Sequence, residues 1–273
     1  MNITTSLWTT PAILSDNEDA LKNNILLCAL SLAYAKKQNV HITMHTDTEG
    51  YKILSKFPYD KVYCDIDFLN DFIRDETNLL WAASKSVALE NETLGTIHID
   101  NDVFLTKSDC VSEMNFDGYD MICEHIEHTR TYNEKLILRN VITNFNTNHH
   151  YACCAGIVGF NTEKAKRTYL DNYRYWLENI DLSGIKTKVC ADLILEQVYL
   201  YDMIVTKNFK CKSLLGDNRR ENNYALSKRA VKMGYQHFCS PQKHNINMIN
   251  KFKDGLKNLD LKLFDLVEEY LNS

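Results

Sequence analysis

The chain has 273 residues, of which 45% are hydrophobic and 25% are charged, a balance typical of a globular protein with a continuous core. Its formal net charge of -5 argues against general nucleic-acid binding. The N-terminal segment MNITTSLWTTPAIL has neither a basic region nor a long apolar run, so we expect no signal peptide, no membrane span and a cytoplasmic location.

The hydrophobic pattern predicts strands and helices that alternate along the chain. Ser15 and Glu18 have the spacing of a helix capping box. Apolar residues with helical spacing follow it: Leu21, Ile25, Cys28, Ala29 and Leu32. The predicted strands are 2–9, 40–46, 61–64, 96–99, 119–123 and 152–160, and the other predicted helices are 51–57, 79–89, 163–178 and 192–201.

This alternation predicts an α/β fold with a mixed, mainly parallel sheet flanked by helices. The sequence contains neither GxGxxG after the first strand nor GxxxxGK[ST], which argues against a dinucleotide-binding Rossmann site and a P-loop kinase. Only three prolines occur, so no long linker is expected and 1–273 is predicted to be one domain. The nine cysteines have no metal-binding spacing and are expected to be reduced thiols.

The segment IHIDNDVFL places Asp100 and Asp102 directly after a short buried strand. Ligands of open α/β sheets bind at the carboxyl ends of the strands. Hard divalent cations prefer oxygen ligands, and such a cation can neutralise the charge on a diphosphate leaving group. A second acidic triplet, Asp65-Ile66-Asp67, precedes a predicted helix start, where N-capping explains it. We therefore expect Asp100 and Asp102 to bind Mn²⁺ or Mg²⁺, with a satisfied turn as the alternative.

Four segments in order resemble those of GT-A-fold, nucleotide-sugar-dependent glycosyltransferases, closest to the glycogenin-like and galactosyltransferase-like branch. HIDNDVFL resembles the strand with the DxD motif, and ACCAGIVGFN resembles the strand on the acceptor side. ADLILEQVYL resembles the helix with an acidic-Gln pair, and HFCSPQKHN resembles the HxxGxxKPW element. The resemblance implies a donor nucleotide-binding half (1–105), an acceptor-side half (106–245) and a C-terminal helical segment (246–273).

The resemblance also implies roles for individual residues. Asp100 and Asp102 match the metal-binding carboxylates, and His237 matches the third protein ligand. Lys243 matches the lysine that contacts the donor phosphates, a role that suits an ammonium group. The sequence departs from the motif at two places, because Ser240 replaces a glycine and His244-Asn245 replaces Pro-Trp. His237 as an ordinary strand-end histidine is the alternative.

Further donor contacts are expected from the residues around the predicted metal site. Asn101 belongs to the same turn, and Lys85 lies on the helix that faces the donor site in the related enzymes, with a solvated helix lysine as the alternative. Trp8 and Thr9 end the first strand, where such folds hold the nucleobase, although a core tryptophan is the alternative. In the segment GDNRRENN, Arg219 and Arg220 either close over the diphosphate or form a solvated charge pair.

Asp192 and Glu196 are four residues apart, so both can reach one site from a single helix face. An inverting enzyme needs a carboxylate base for the acceptor hydroxyl, and Asp192 is the first candidate for it. The HxxGxxKPW-like element favours retention instead.

The predicted reaction is sugar transfer from a nucleotide-sugar, in particular a UDP-sugar. The acceptor, whether a glycan, a protein or a lipid-linked sugar, is not readable from the sequence. A sugar-phosphate nucleotidyltransferase and a non-catalytic nucleotide-sugar-binding module remain as alternatives. The glycine-rich signature of the former is missing from LWTTPAIL.

Overall fold

A computed structural model describes residues 1–14, 19–72, 80–128, 151–179, 192–216, 223–239 and 241–272. The predicted capping box and arginine pair, together with Ser240, lie outside these ranges. The described part contains a seven-stranded sheet and a two-stranded sheet with helices around them. None of its helices has both the length and the apolar character needed to cross a bilayer.

The strands are β1 (Asn2–Leu7), β2 (His41–Thr46), β3 (Lys61–Cys64), β4 (Ile97–Ile99), β5 (Val103–Leu105), β6 (Met121–His128), β7 (Tyr151–Phe160), β8 (Cys211–Ser213) and β9 (Tyr235–His237). The helices are α1 (Thr10–Ile13), α2 (Ala20–Lys37), α3 (Thr48–Leu54), α4 (Ala83–Asn91), α5 (Ser108–Glu113), α6 (Glu163–Asn179), α7 (Tyr199–Lys207), α8 (Asn223–Met233), α9 (Ile246–Leu259) and α10 (Leu261–Leu271). A π-helix (Ile194–Val198) continues directly into α7, and short 3₁₀ helices occupy Asp67–Phe72 and Pro241–His244.

The large sheet has the strand order β3-β2-β1-β4-β7-β6-β8. Strand β1 pairs in parallel with β2 and β4, and the pairs β2–β3 and β6–β8 are also parallel. Only β7 runs antiparallel to its neighbours, β4 and β6. The predicted mixed, mainly parallel α/β sheet is therefore confirmed.

Hydrophobic residues cover both faces of this sheet. Ile122 packs in one cluster while its neighbours Met121 and Cys123 pack in the other, because successive residues of a strand point to opposite faces. Helices α2, α9 and α10 pack together on the Ile122 side, and α4, α6 and α7 contribute to the other cluster. The centre of the sheet lies between these two clusters and carries the candidate site.

Several elements differ from the sequence-based prediction. Helix α3 begins three residues earlier than predicted, at Thr48, because the Asp47 carboxylate accepts a hydrogen bond from the backbone N–H of Gly50 and caps the helix there. Strand β6 continues past residue 123 to His128. Strands β5, β8 and β9, each of three residues, were not predicted, although the equally short β4 was. Three residues carry little recognisable alternation.

The ladder between β6 and β7 contains a bulge. Cys123 pairs with Val158, but His125 pairs with Cys154, so Glu124 alone lies opposite the segment from Ala155 through Ile157. A bulge frees main-chain groups from the ladder and redirects nearby side chains. This irregularity lies beside the carboxyl end of β4, since Ile99 pairs with Ile157.

Candidate functional site

The turn after β4 carries the two acidic residues at the centre of the sheet. Asp100, Asn101 and Asp102 connect β4 to β5. The side chain of Asn101 holds this turn against β1: its Oδ1 accepts from Thr5 Oγ1 at 2.6 Å, and its Nδ2 donates to the carbonyl of Ser6 at 2.8 Å. Asn101 lines the cavity described below, but both of its side-chain polar groups bond to the protein.

The small sheet brings His237 to this turn. Strands β5 and β9 are antiparallel, with Val103 opposite His237, so the imidazole lies beside Asp102, the residue before Val103. The His237 Nε2 atom is 3.5 Å from Asp102 Oδ1. One ligand atom from each of Asp100, Asp102 and His237 lies within 4.8 Å of the other two. The structure thus brings together all three predicted metal ligands.

Glu124 holds the other side of the His237 ring. The Nδ1–H of His237 donates to Glu124 Oε2 at 2.6 Å. Tyr235 donates its hydroxyl to Glu124 Oε1 at 3.1 Å, and the Cys154 thiol donates to Oε2 at 3.3 Å. Burial alone would raise the pKa of Glu124, but the adjacent His237 lowers it to about 2. Glu124 is therefore a buried, ionised carboxylate that is bonded to the imidazole.

Gly156 leaves the space that this pair occupies. A Cβ at this position would lie 2.3 Å from His237 Cε1 and 2.7 Å from Glu124 Oε2. The carbonyl of Gly156 accepts the backbone N–H of Asp100 at 2.9 Å, so the bulge also fixes the start of the acidic turn. No larger residue fits here without displacing the imidazole or the carboxylate.

Lys85 joins the acidic turn to the π-helix. Its ammonium lies 2.8 Å from Asp100 Oδ1, forms an ion pair with Glu196, and donates to the carbonyl of Ala155 at 2.7 Å. These three contacts match the three N–H donors of an ammonium group. Burial would lower the pKa of Lys85, but the two carboxylates outweigh it and hold that pKa above its ordinary value. Lys85 is thus a buried cation that neutralises part of the acidic turn.

Asp192 lies behind the cavity wall and bonds to the start of α4. It is fully buried, and its oxygens accept from the backbone N–H of Ala82 at 2.7 Å and from the hydroxyl of Tyr173 at 3.0 Å. Burial, followed by the charge of Glu196, raises the pKa of Asp192 to about 8. Within the described ranges, neither Asp192 nor Glu196 lines the cavity, and the role of base stays a prediction for Asp192.

Lys243 already contacts the predicted metal-binding carboxylate. Its Nζ is 2.5 Å from Asp102 Oδ2. Burial would raise the pKa of Asp102, but His237 and Lys243 lower it below its ordinary range. Burial likewise opposes protonation of His237, yet Glu124 and Asp102 hold its pKa well above the ordinary value. Positive charge therefore already surrounds Asp102.

A cavity of about 690 Å³ opens over these groups, which is the size of a small-molecule site. Seven of the residues predicted for the site line this cavity: Asp100, Asp102, His237, Lys85, Lys243, Asn101 and Trp8. Trp8 donates its indole N–H to Asn70 Oδ1 at 2.9 Å. Thr9 is tied to Asp47, which accepts both its backbone N–H and its hydroxyl, and its side chain is not part of this lining. Trp81 lines the cavity and is 40% exposed.

The second acidic triplet performs structural tasks. Asp65 Oδ2 accepts from His45 Nδ1 at 2.7 Å and from Asn91 Nδ2 at 2.8 Å. Asp67 accepts from the backbone N–H and the hydroxyl of Thr48, the first residue of α3. The predicted capping function therefore applies to α3 and not to the 3₁₀ helix that Asp67 begins.

Sequence reasoning missed Glu124, Gly156 and His98. His98 is buried on β4, where its Nε2 bonds to Ser6 Oγ at 3.0 Å and its Nδ1 lies 3.8 Å from Asp100 Oδ1. Burial, then the charge of Lys85, lowers the pKa of His98 well below the ordinary value, so the ring is neutral. An acidic residue that follows the apolar run MIC was the available signal for Glu124.

The side chains around the turn fit a divalent cation. Two carboxylates supply the oxygen ligands that Mg²⁺ and Mn²⁺ prefer, and His237 would offer Nε2 as a nitrogen ligand once that nitrogen has lost its proton, while its Nδ1–H stays on Glu124. Asp102 and His237 are both nearly buried, so a cation held there would be shielded from bulk water. The remaining coordination positions would be open to substrate oxygens.

The sequence belongs to the DUF6734 family, a family of unknown function, whose profile matches residues 1–265. No curated protein matches the chain in sequence. Among solved structures, the chain is similar to the galactosyltransferase LgtC in complex with donor and acceptor sugar analogs, with a TM-score of 0.53 and 13% identity over 95% of this chain and 96% of that chain. A second similar structure is the inositol-1-phosphate CTP transferase from T. maritima, with a TM-score of 0.48 and 12% identity over 94% and 96% of the two chains. The likeness to the galactosyltransferase confirms the predicted GT-A-type fold.

Proposed function

We propose that this protein is a metal-dependent glycosyltransferase that moves a sugar from a nucleotide-sugar, in particular a UDP-sugar, to an acceptor. One observation carries the proposal: two carboxylates and an imidazole converge within 4.8 Å at the carboxyl end of the central strand. That position is the one at which open α/β sheets bind ligands. The cavity above it is large enough for a nucleotide-sugar.

Asp100, Asp102 and His237 would hold Mn²⁺ or Mg²⁺. When bound, the cation supplies Lewis-acid stabilisation of the charge that develops on the diphosphate leaving group, an effect of several kcal/mol. Asn101 keeps the turn rigid through its two hydrogen bonds to β1. A turn that is already fixed does not have to rearrange when negative charge develops on the leaving group, so less free energy is needed to reach the transition state.

Lys243 is assigned to the donor phosphates. It is a quarter exposed at the cavity wall, so its flexible side chain can leave Asp102 and contact a phosphate. Lys85 has a different task, because all three of its donors are used within the protein. We assign Lys85 to positioning Asp100 and Trp8 to the nucleoside end of the cavity. We assign Thr9 to supporting the Trp8 backbone through its bonds to Asp47.

The surroundings of Asp192 and Glu196 favour positioning over proton abstraction. Asp192 accepts hydrogen bonds from the backbone N–H of Ala82 and from Tyr173, and Glu196 pairs with Lys85. Without a carboxylate base on the cavity wall from this helix, the proposal favours retention of the anomeric configuration. Inversion with Asp192 as the base predicts that Asp192→Asn abolishes turnover while leaving donor binding intact.

The test is release of UDP from UDP-sugars with Mn²⁺ or Mg²⁺, compared with EDTA-treated protein, for the wild type and for Asp100→Asn and Asp102→Asn. We expect metal-dependent turnover that falls by on the order of 10²- to 10³-fold in the variants. Normal turnover in a variant that carries both substitutions would exclude metal binding by Asp100 and Asp102. Anomeric analysis of the product then decides between retention and inversion.

Two further measurements, pyrophosphate release and thermal stability, separate the alternatives. A sugar-phosphate nucleotidyltransferase releases pyrophosphate from a nucleoside triphosphate and a sugar phosphate, and it does not consume a UDP-sugar. A non-catalytic module shows thermal stabilisation by UDP and Mn²⁺ without turnover of any nucleotide-sugar, because a ligand that binds the native state raises its stability. Either result contradicts the proposed reaction.

A further inference from the structure

We infer that Glu124 is the positioning residue of the metal site: it fixes the tautomer and the orientation of His237 so that Nε2 faces Asp102. The inference rests on the proposed metal-dependent function and adds a residue to it. Metal-binding histidines commonly donate their second ring N–H to a carboxylate, which fixes the ring and increases its basicity. A carboxylate accepts only, so the proton between the two side chains belongs to His237 Nδ1.

The contacts of the imidazole divide cleanly between its two nitrogens. Nδ1 is 2.6 Å from Glu124 Oε2, whereas Nε2 is 3.5 Å from Asp102 Oδ1, a carboxylate of the cluster that His237 forms with Asp100 and Asp102. The short contact is typical of a charge-assisted hydrogen bond, and the longer one leaves room for an ion between the groups. The metal-facing nitrogen is thus selected by the bond on the opposite side of the ring.

Glu124 is itself held in place. It is 2% exposed, and both of its oxygens accept a hydrogen bond besides that of His237, from Tyr235 and from Cys154. Tyr235 and His237 lie two residues apart on β9, so the same strand supplies the imidazole and one anchor of its carboxylate. A buried carboxylate with this many partners has little freedom to rotate away.

The β6–β7 bulge makes this geometry. Glu124 lies opposite the bulged segment, and Gly156 within it leaves the volume into which the His237 ring fits. Bulges are frequent beside functional sites, where they redirect a side chain. A regular ladder with a larger residue at position 156 would not accommodate the Glu124–His237 pair.

The experiment measures Mn²⁺ affinity by EPR of the free ion, for the wild type, Glu124→Gln and the matched control Glu163→Gln. Glu163 is an exposed residue at the start of α6 that pairs with Arg167 and does not line the cavity, so its substitution removes the same charge outside the site. We expect Glu124→Gln to weaken Mn²⁺ binding by about 10- to 100-fold, as for other carboxylates that orient metal-bound histidines. The control is expected to change the affinity by less than about threefold, because solvent and salt screen an exposed charge outside the site.

Pulsed EPR supplies a readout that general destabilisation would not change. The ¹⁴N coupling of a metal-bound imidazole should be present in the wild type and lost or weakened in Glu124→Gln, at Mn²⁺ concentrations that saturate both proteins. Equal affinities and equal nitrogen couplings in the two proteins would overturn the inference and leave the metal site intact. Absence of Mn²⁺ binding in the wild type would instead overturn the metal site of the proposed function.

If circular dichroism shows that Glu124→Gln does not fold, Tyr235→Phe tests the positioning role of Glu124 instead. This variant removes only the hydroxyl that anchors Glu124 Oε1. We expect weaker Mn²⁺ binding than in the wild type, with a smaller loss than the one predicted for Glu124→Gln. An unchanged dissociation constant in folded Tyr235→Phe would contradict the positioning role.

Discussion

The ammonium of Lys243 lies 2.5 Å from Oδ2 of Asp102, the carboxylate that also faces His237. An internal cation therefore occupies one oxygen of the group that is proposed to bind a metal. Metal and lysine compete for this carboxylate, and the donor diphosphate offers Lys243 an alternative partner. This relationship predicts opposite effects of Lys243 on the metal and on the nucleotide.

Lys243→Met should strengthen Mn²⁺ binding in the absence of nucleotide by up to about tenfold, the equivalent of about 1.4 kcal/mol, because a competing cation is removed. The same variant should weaken binding of UDP to the Mn²⁺-loaded protein, because a phosphate contact is lost. Calorimetric titration of metal and then of UDP measures both constants. Lys251→Met, on the exposed face of α9, is the control. Weaker binding of both ligands would argue that Lys243 only supports the local structure.

Lys85→Met should destabilise the fold strongly. It would leave the buried Glu196 carboxylate and Asp100 without their cation, and breaking a buried ion pair costs about 3–5 kcal/mol. Adding Glu196→Gln to this variant should restore part of the loss, because one unpaired charge is then removed. Urea unfolding of the two variants measures the difference. Equal stabilities of these two variants would mean that the Glu196 carboxylate does not need the Lys85 ammonium as its partner.

Gly156→Ala should lower both stability and metal affinity. The added methyl would overlap His237 and Glu124, and overpacking typically costs about 1–3 kcal/mol. Gly255→Ala is the matched control, since its Cβ would meet only Leu30 Cδ1, at 3.7 Å, and alanine favours the α9 helix by about 0.5–1 kcal/mol. The two substitutions are therefore expected to shift the thermal midpoint in opposite directions. Unchanged stability and metal affinity in Gly156→Ala would show that His237 and Glu124 move to accommodate the methyl group.

Asp192 should make the free energy of unfolding depend on pH. Its pKa is about 8 in the native state, against an ordinary value of 3.8, because burial and Glu196 disfavour the charged form. In the unfolded chain the carboxyl ionises near pH 4, so the native state loses relative stability as the pH rises from about 4 to about 8. Each pKa unit corresponds to about 1.4 kcal/mol.

Asp192→Asn has no proton to lose, so its free energy of unfolding should decrease less than that of the wild type between pH 5 and pH 8. Urea unfolding at the two pH values gives the comparison. An equal decrease in the free energy of unfolding of both proteins would show that Asp192 ionises normally in the folded state. That result would strengthen its candidacy as a base.

The elements that form long or strongly patterned segments were readable from the sequence. The ten-residue strand that ends at Phe160 stands out as a mostly apolar run, and α6 has a clear helical period. The acidic turn was identifiable because two carboxylates interrupt apolar residues. His237 was found only by the order of its motif, since nothing in its local sequence indicates that β9 pairs with β5.

The missing parts of the site depend on pairing between distant strands. Glu124 faces His237 only because the β6–β7 ladder slips at Gly156, and a bulge has no reliable signal in one sequence. Likewise, Lys85 reads as a solvated helix lysine until the bulged carbonyl of Ala155 and the buried Glu196 are known. Tertiary contacts, and not local propensity, determine the chemistry of these side chains.

Mn²⁺ binding to the wild type, Asp102→Asn and Asp67→Asn, followed by EPR of the free ion, tests the central claim most directly. Asp67 belongs to the other acidic triplet and serves as the matched control. The account predicts a saturable site in the wild type, loss of affinity by at least about tenfold in Asp102→Asn and no change in Asp67→Asn. Equal binding by all three proteins, or no binding by the wild type, would contradict a metal site at this turn.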